Sequence, residues 1–413
     1  MITNGVVLRS KLVLTLCFAA LSISSWAANN PNRWITTWTT SDAASMEPVQ
    51  FSNLTIREIV HTTIGGDAIR LRLTNTFGPR AVRFDSVFVG VQKDGAALVP
   101  QSNRELTFSG SRSITIPEGA EALSDPVSMP VGPEQNVAIS LFTAGDTGPA
   151  TMHWQALATN YISSAGNFAA DSSANSYSKI TESWYFLGAV EVLPSSGAKG
   201  AVVALGDSIT DGASARANKN ERWTDVLARR LLADHNETAV LNAGISGNRV
   251  LTSSPCFGQN ALARLRRDVL SQAGVKAVIL FEGTNDLGQP DTPNASDNPC
   301  LSHTQVKADE VIAGYQQIIL RCHAVGLEIF GATILPYQGF RAWTPSGEAK
   351  RAAINQWIRT SGAFDGVIDF DAALRDPASP ARMASQYDGG DHLHPSPAGH
   401  EVMGNSIDLA LFH

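Results

Sequence analysis

The chain predicts an α/β fold, a flavodoxin-like five-stranded parallel sheet preceded by an all-β sandwich or jelly-roll-like domain. Three observations carry this. The chain has 413 residues, more than the roughly 100 to 200 of a usual single domain, so two domains are expected. Its hydrophobic period changes near residue 195, from strand-like alternation to apolar strands separated by amphipathic helices. Several Gly- and Asn-rich polar segments then fall where those later strands end.

Residues 1–27 read as an export signal: Arg9 and Lys11, an apolar run from Leu12 to Ile23, then Ser25-Trp26-Ala27 in a small-x-small pattern. That run is short for a membrane span of roughly 20 residues, so a secreted or periplasmic protein without integral membrane association is expected. Losing Arg9 and Lys11 takes the net charge from −7 to −9, a sign that disfavours a nucleic-acid partner. Hydrophobic residues make up 43% and charged residues 17%, as in ordinary globular proteins. Of the three cysteines left, Cys256 and Cys300 lie in Pro/Gly/Ser/Asn-rich loops and are a disulfide candidate in an exported chain. Cys322 lies mid-helix and is expected to be a buried thiol.

Residues 28–194 form the predicted all-β half. In the run from Ala68 to Thr76, Ile69, Leu71 and Leu73 share one face and Arg70, Arg72 and Thr74 the other, which is the period of a strand. Residues 82–92, 113–117, 136–144 and 183–192 alternate likewise, and residues 193–200 resemble a linker. In residues 195–413, strands are expected at 201–205, 239–243, 276–281, 328–334 and 366–370. Helices are expected at 221–234, 259–271, 304–325, 346–361 and 396–411, with Trp223, Leu227 and Leu231 on one face of the first.

Four polar segments meet the expected carboxyl ends of the strands: Gly206-Asp207-Ser208-Ile209, Gly244-Ile245-Ser246-Gly247-Asn248, Gly283-Thr284-Asn285-Asp286 and Asp388-Gly389-Gly390-Asp391-His392-Leu393-His394-Pro395. A serine hydroxyl needs an imidazole to accept its proton and a carboxylate to orient that imidazole. Asp391 and His394 offer both within one turn, and the N–H groups of Ser208 and Gly247 with the Asn285 amide are candidate oxyanion donors. This chemistry requires no metal or organic cofactor.

Taken singly, each residue has a plainer role. Ser208 suits a helix N-cap, Asp207 a structural hydrogen bond, Asn285 a turn, and Gly247 a positive φ. Asp388, Asp391, His392 and His394 also have the composition of a metal site. His153, His392 and His400 are taken as structural. Arg249, Glu282, Tyr337, Gln338, Phe340, Trp343 and Tyr387 fall on loops at the same sheet edge and are substrate-binding candidates.

In order and placement the four segments resemble the SGNH (GDSL-type) hydrolase family over residues 201–411. The resemblance implies Ser208 as nucleophile, Gly247 and Asn285 as oxyanion-hole members, and Asp391 with His394 as the Asp-x-x-His pair. Gly-x-Ser-x-Gly, the elbow of ordinary α/β-hydrolases, is absent because Thr210 holds its last position. Trp34-Ile35-Thr36-Thr37-Trp38, Val60-His61-Thr62-Thr63-Ile64-Gly65-Gly66 and Trp184-Tyr185-Phe186-Leu187 resemble the all-β domain of the secreted XynE-like branch. That similarity implies a serine carboxylesterase acting on acetyl esters of plant-type polysaccharides or related carbohydrates. A broad lipase or arylesterase with the same triad, and a non-catalytic carbohydrate-binding protein, stay open as alternatives. Oligomeric state is not legible.

Overall fold

The structure, a computed structural model, describes residue 1 and residues 34–44, 47–195 and 197–413. Apart from Met1, the export signal expected over residues 1–27 lies outside the described residues. The β-rich half contains two large antiparallel sheets. In one, Ile35–Thr39, Leu187–Leu193 and Gly66–Thr74 pair in that order, with Glu121–Leu123 and Val127–Val131 on the far edge of Gly66–Thr74. The other runs Tyr177–Thr181, Asn160–Ala165, Leu54–His61, Asn136–Thr143 and Ser86–Asp94, then a short edge strand.

The alternation in Gly66–Thr74 holds, because Ile69, Leu71 and Leu73 are fully buried. The opposite face is not solvated. Arg70 and Arg72 both grip Glu191, at 2.6 Å and 3.2 Å, and Arg72 reaches the Ser271 carbonyl of the other half at 3.3 Å. Two expected strands are broken. Asp85 separates Val82–Phe84 from Ser86–Asp94, and Phe186 separates Trp184–Tyr185 from Leu187–Leu193 at φ 58°. Burial of the Phe186 ring against Phe51 and Phe84 offsets the cost of that left-handed conformation.

The second half is a parallel sheet in the order Thr238–Gly244, Gly200–Gly206, Val275–Phe281, Glu328–Ala332, Gly366–Ile368. This is the 2-1-3-4-5 arrangement of doubly wound folds. Strand Gly200–Gly206 is apolar throughout because both faces are covered. Val203 and Leu205 join one apolar cluster, and Val202 and Ala204 join another with Trp223, Leu227 and Leu231. The helix expected at 259–271 is Ala261–Leu265 continued by a π-type turn, Arg266–Leu270, and the last helix, Pro397–Ser406, gives way to a 3-10 turn. Cys322 is a buried free thiol in Ala308–His323, its pKa pushed up to about 12 by burial.

The expected linker at 193–200 joins two strands directly: Leu193 ends one and Gly200 begins the next. The two halves are fused along the sheet edge. Thr36 donates its N–H to Ala273 O at 3.0 Å, and Thr63 Oγ1 accepts the Val240 N–H at 3.2 Å. One continuous apolar cluster contains Ile56, Leu71 and Val137 together with Val203, Leu241, Val278 and Ile318.

Candidate active site

The segment after strand Gly200–Gly206 turns at once into the short helix Ser208–Asp211. Asp207, not Ser208, is the N-cap, accepting the Ile209 N–H at 3.0 Å, so the capping role considered for Ser208 belongs to its neighbour. Gly206 permits the turn, since a Cβ there would lie 2.1 Å from Thr210 Oγ1 and 2.8 Å from Phe281 O. Burial raises the Asp207 pKa to about 6, despite the opposing Ile209 hydrogen bond and the nearby His394.

Ser208 Oγ lies 2.8 Å from His394 Nε2, and His394 Nδ1 lies 2.6 Å from Asp391 Oδ2. The other Asp391 oxygen accepts the N–H groups of His394 and Leu393 at 2.9 Å and 3.0 Å. Partial burial alone would raise the Asp391 pKa. The hydrogen bonds from the His394 side chain and backbone and from Leu393 outweigh it and hold the carboxyl well below the usual range. An ionised Asp391 requires the proton on Nδ1, which leaves Nε2 as the acceptor for the Ser208 hydroxyl.

Ser208, Gly247, Asn285 and His394 line one cleft of about 310 Å³. The Ser208 N–H is the first of its helix and so has no intrahelical acceptor. Gly247 sits at φ 79°, where a Cβ would also enter the Phe257 ring at 2.4 Å. Its positive φ and its place at the cleft are therefore one feature. Asn285 Nδ2 donates to Asn248 O at 3.0 Å and, at a long 3.5 Å, to Asp207 Oδ2, which fixes the amide plane beside the cleft. Asp286 accepts the N–H groups of Val250 and Leu251 at 2.8 Å and 3.1 Å, tying the second and third segments together.

Of the seven substrate-binding candidates, Tyr337 and Phe340 line this cleft. The other five do not, and each is used elsewhere. Arg249 is buried and donates to Thr252 O and Ser253 O at 3.0 Å and 3.1 Å. Glu282 is fully buried against Arg264 at 3.2 Å, its pKa raised well above normal by burial. Gln338 binds Arg382 at 3.4 Å and pairs its N–H with Ala381 O. Trp343 closes a turn onto Phe340 O, and Tyr387 packs on the apolar cluster behind the sheet.

His392 and His394 turn to different carboxylates, Asp388 at 2.6 Å and Asp391 at 2.6 Å. Among the described residues no three His, Cys, Asp or Glu side chains are grouped as a metal site. His400 is buried beside Ala213 O at 3.1 Å, its pKa lowered to about 4 chiefly by burial. His153 bridges Ser41 O and Asp211 at 2.9 Å and 3.0 Å. Asp211 in turn accepts the N–H and hydroxyl of Ser246 at 3.0 Å and 2.8 Å.

The cleft also takes residues that sequence reasoning missed: Trp154 and Gln155 from the β-rich half, Phe257 and Leu301, and Gln289 and Arg341. Gln155 meets the Ser246 hydroxyl. Phe257 and Leu301 each follow a cysteine of the Cys256–Cys300 disulfide, and that adjacency was a usable signal. Trp154 and Gln155 carried none, lying far from every motif in the chain.

The GDSL-like lipase/acylhydrolase family model matches residues 204–402. Solved structures similar to this chain include a GDSL-like lipase from Bacteroides thetaiotaomicron, at 18% identity over 52% of this chain and 88% of that one, TM-score 0.36. A catalytic mutant of an acetylxylan esterase from Geobacillus stearothermophilus is similar at 23% identity over 51% and 93%, TM-score 0.38. An alpha/beta hydrolase enzyme from the metagenome of Lake Arreo is similar at 21% over 52% and 95%, TM-score 0.38. No curated protein matches. Residues 204–402 are thus a GDSL-like lipase/acylhydrolase domain, and that domain marks the protein as an ester hydrolase.

Proposed function

We propose that Ser208, His394 and Asp391 act as a catalytic triad on short-chain, acetyl-type esters of carbohydrates, and that the protein is exported after loss of residues 1–27. The observation that carries the triad is the unbroken chain from Ser208 Oγ through His394 to Asp391, at 2.8 Å and 2.6 Å. His394 Nε2 takes the hydroxyl proton as Oγ attacks the ester carbonyl. The N–H groups of Ser208 and Gly247 and the Asn285 amide receive the developing oxyanion. His394 then returns its proton to the leaving alcohol, and a water activated by the same nitrogen releases the acid from the acyl-enzyme.

A short acyl chain is supported by the cleft volume of about 310 Å³, at the lower end of the roughly 300 to 1,000 Å³ of ligand pockets. A carbohydrate alcohol is supported by polar Gln155 and Gln289 beside the aromatic faces of Trp154, Phe257 and Phe340, the mixture that suits a ring bearing hydroxyls. The apolar part of the same lining favours a second reading, an arylesterase or lipase of broad range. Acetylated xylan, 4-nitrophenyl esters of increasing chain length and tributyrin, assayed side by side, separate the two. Faster cleavage of long-chain esters than of acetyl sugars would replace the first reading by the second. Ser208→Ala should lower turnover by about 10⁴-fold or more, and a folded variant with full activity would remove the triad. Amino-terminal sequencing of the protein recovered outside the cytoplasm tests export, with a start after Ala27 expected.

A further inference from the structure

We infer that the cleft selects esters whose alcohol portion bears a carboxylate, and that Arg341 is the residue that selects them. This rests on the esterase reading above and narrows its substrate class to acidic sugars. Besides His394, Arg341 is the one side chain of formal charge among the described residues lining the cleft, and no Asp or Glu lines it. That is notable in a chain whose net charge is −7. Nearly every other described arginine is committed to a carboxylate, a carbonyl or another side chain. Arg266 and Arg341 are the exceptions. Arg266 is exposed on the outer surface of its π-type turn and lines no described cleft. Among the described residues Arg341 has only the Phe340 ring, 5.9 Å from its Cζ.

The backbone that presents Arg341 is fixed. Phe340 donates its N–H to Tyr337 O at 3.0 Å, and Gln338 donates to Ala381 O. Ala342, the next residue, is buried. Gly339, at φ 115°, lies under the His392 ring, where a Cβ would come within 2.9 Å. The backbone from which the exposed Arg341 side chain extends is thus held in register with the segment that carries His394. A guanidinium offers two parallel N–H groups matched to a carboxylate. Here those groups are already free, so an incoming anion displaces no resident acid. The distant negative charges of the protein are largely screened beyond about 8 Å at physiological salt, whereas a contact at Arg341 is not.

The test uses the full protein and two matched probes, the mono-acetyl esters of a methyl glucoside and of the corresponding methyl glucuronide, with the acetyl group on the same hydroxyl. The quantity read is the ratio of kcat/KM, glucuronide over glucoside, so each variant carries its own reference. The wild-type ratio should be about two- to fivefold, fall towards one in Arg341→Gln, drop below one in Arg341→Glu and recover in part in Arg341→Lys. It should also shrink in the wild type as sodium chloride is raised to about 1 M, a readout that needs no variant to fold. A wild-type ratio of one, an unchanged ratio in Arg341→Gln, or failure to cleave either sugar ester would overturn the inference. Cleavage of both esters by Ser208→Ala would instead overturn the triad and leave the Arg341 ratio standing.

Discussion

Asn285 holds its amide on Asn248 O at 3.0 Å and on Asp207 Oδ2 at 3.5 Å, in the cleft that Ser208 also lines. An oxyanion donor oriented in advance costs no rearrangement when charge develops. Asn285→Ala should therefore lower kcat by about 100- to 1,000-fold, with much less change in KM. Steady-state kinetics on 4-nitrophenyl acetate give both numbers, and a change confined to KM would count against the role. Asp207 makes a different prediction. Its folded pKa is about 6 against an ordinary 3.8, raised first by burial, so its contribution to stability is fully present below about 3.8 and is lost as pH rises through about 6. Asp207→Asn keeps an oxygen for the Ile209 N–H. Relative to wild type it should gain stability between pH 4 and pH 7, seen as an unfolding midpoint in urea that rises relative to wild type. A difference that does not vary with pH would refute this. At this scale the residues proposed for the triad and the oxyanion hole could be picked out of the sequence, because each sits in a short motif of polar residues at a strand end. Arg249, Glu282 and Trp343 were misread as lining, because sequence places a residue on a loop but not on one side of it.

Helix Ala261–Leu265 shows how an element can hold a site without touching substrate. Its Arg264 is fully buried and donates to Gly206 O at 2.9 Å, Ala243 O at 2.6 Å and Asn248 Oδ1 at 3.0 Å, binding the ends of two neighbouring parallel strands. Asp268 and Glu282 flank it, each at 3.2 Å. Asp268 also holds Arg267 at 2.6 Å, so Arg264→Leu would leave buried Glu282 without its cation and those three acceptors without their donor, at a cost of about 3 to 5 kcal/mol. Equilibrium urea unfolding reads this directly, and a loss under about 1 kcal/mol would show that the cation is dispensable. The period of the sequence gave the helix its place but set Arg264 no differently from the other arginines around it. Strand Gly66–Thr74 repeats the lesson. Its alternation identified the apolar face, yet its arginine face meets Glu191 and Ser271, since a polar face reads the same whether it meets water or a partner.

Across the whole molecule the decisive feature is the shared core. The described residues from Trp34 to His413 pack as one compact unit, with apolar side chains of both halves in a single cluster. Trp154 and Gln155 reach the cleft of Ser208 and His394 from the β-rich half, and His153 beside them meets Asp211 of the serine helix at 3.0 Å. The β-rich half is therefore part of the wall of the cleft. Residues 198–413 expressed alone would expose one face of the parallel sheet to water, at about 25 cal/mol for each Å² of apolar surface left uncovered. That fragment should be aggregated or unfolded by circular dichroism and gel filtration. A soluble, fully active fragment would show that the two halves are independent.

The sequence by itself determined the alternation of strands and helices, the order of the four polar segments and the residues proposed for the triad. These follow from local periodicity and from chemistry that needs particular residue types at chain turns. Only the tertiary structure decided which aromatic and amide side chains face the cleft, which arginines are spent on carboxylates, and that Arg341 is not. Those outcomes depend on contacts between residues far apart in the chain, and burial, not residue type, determines them.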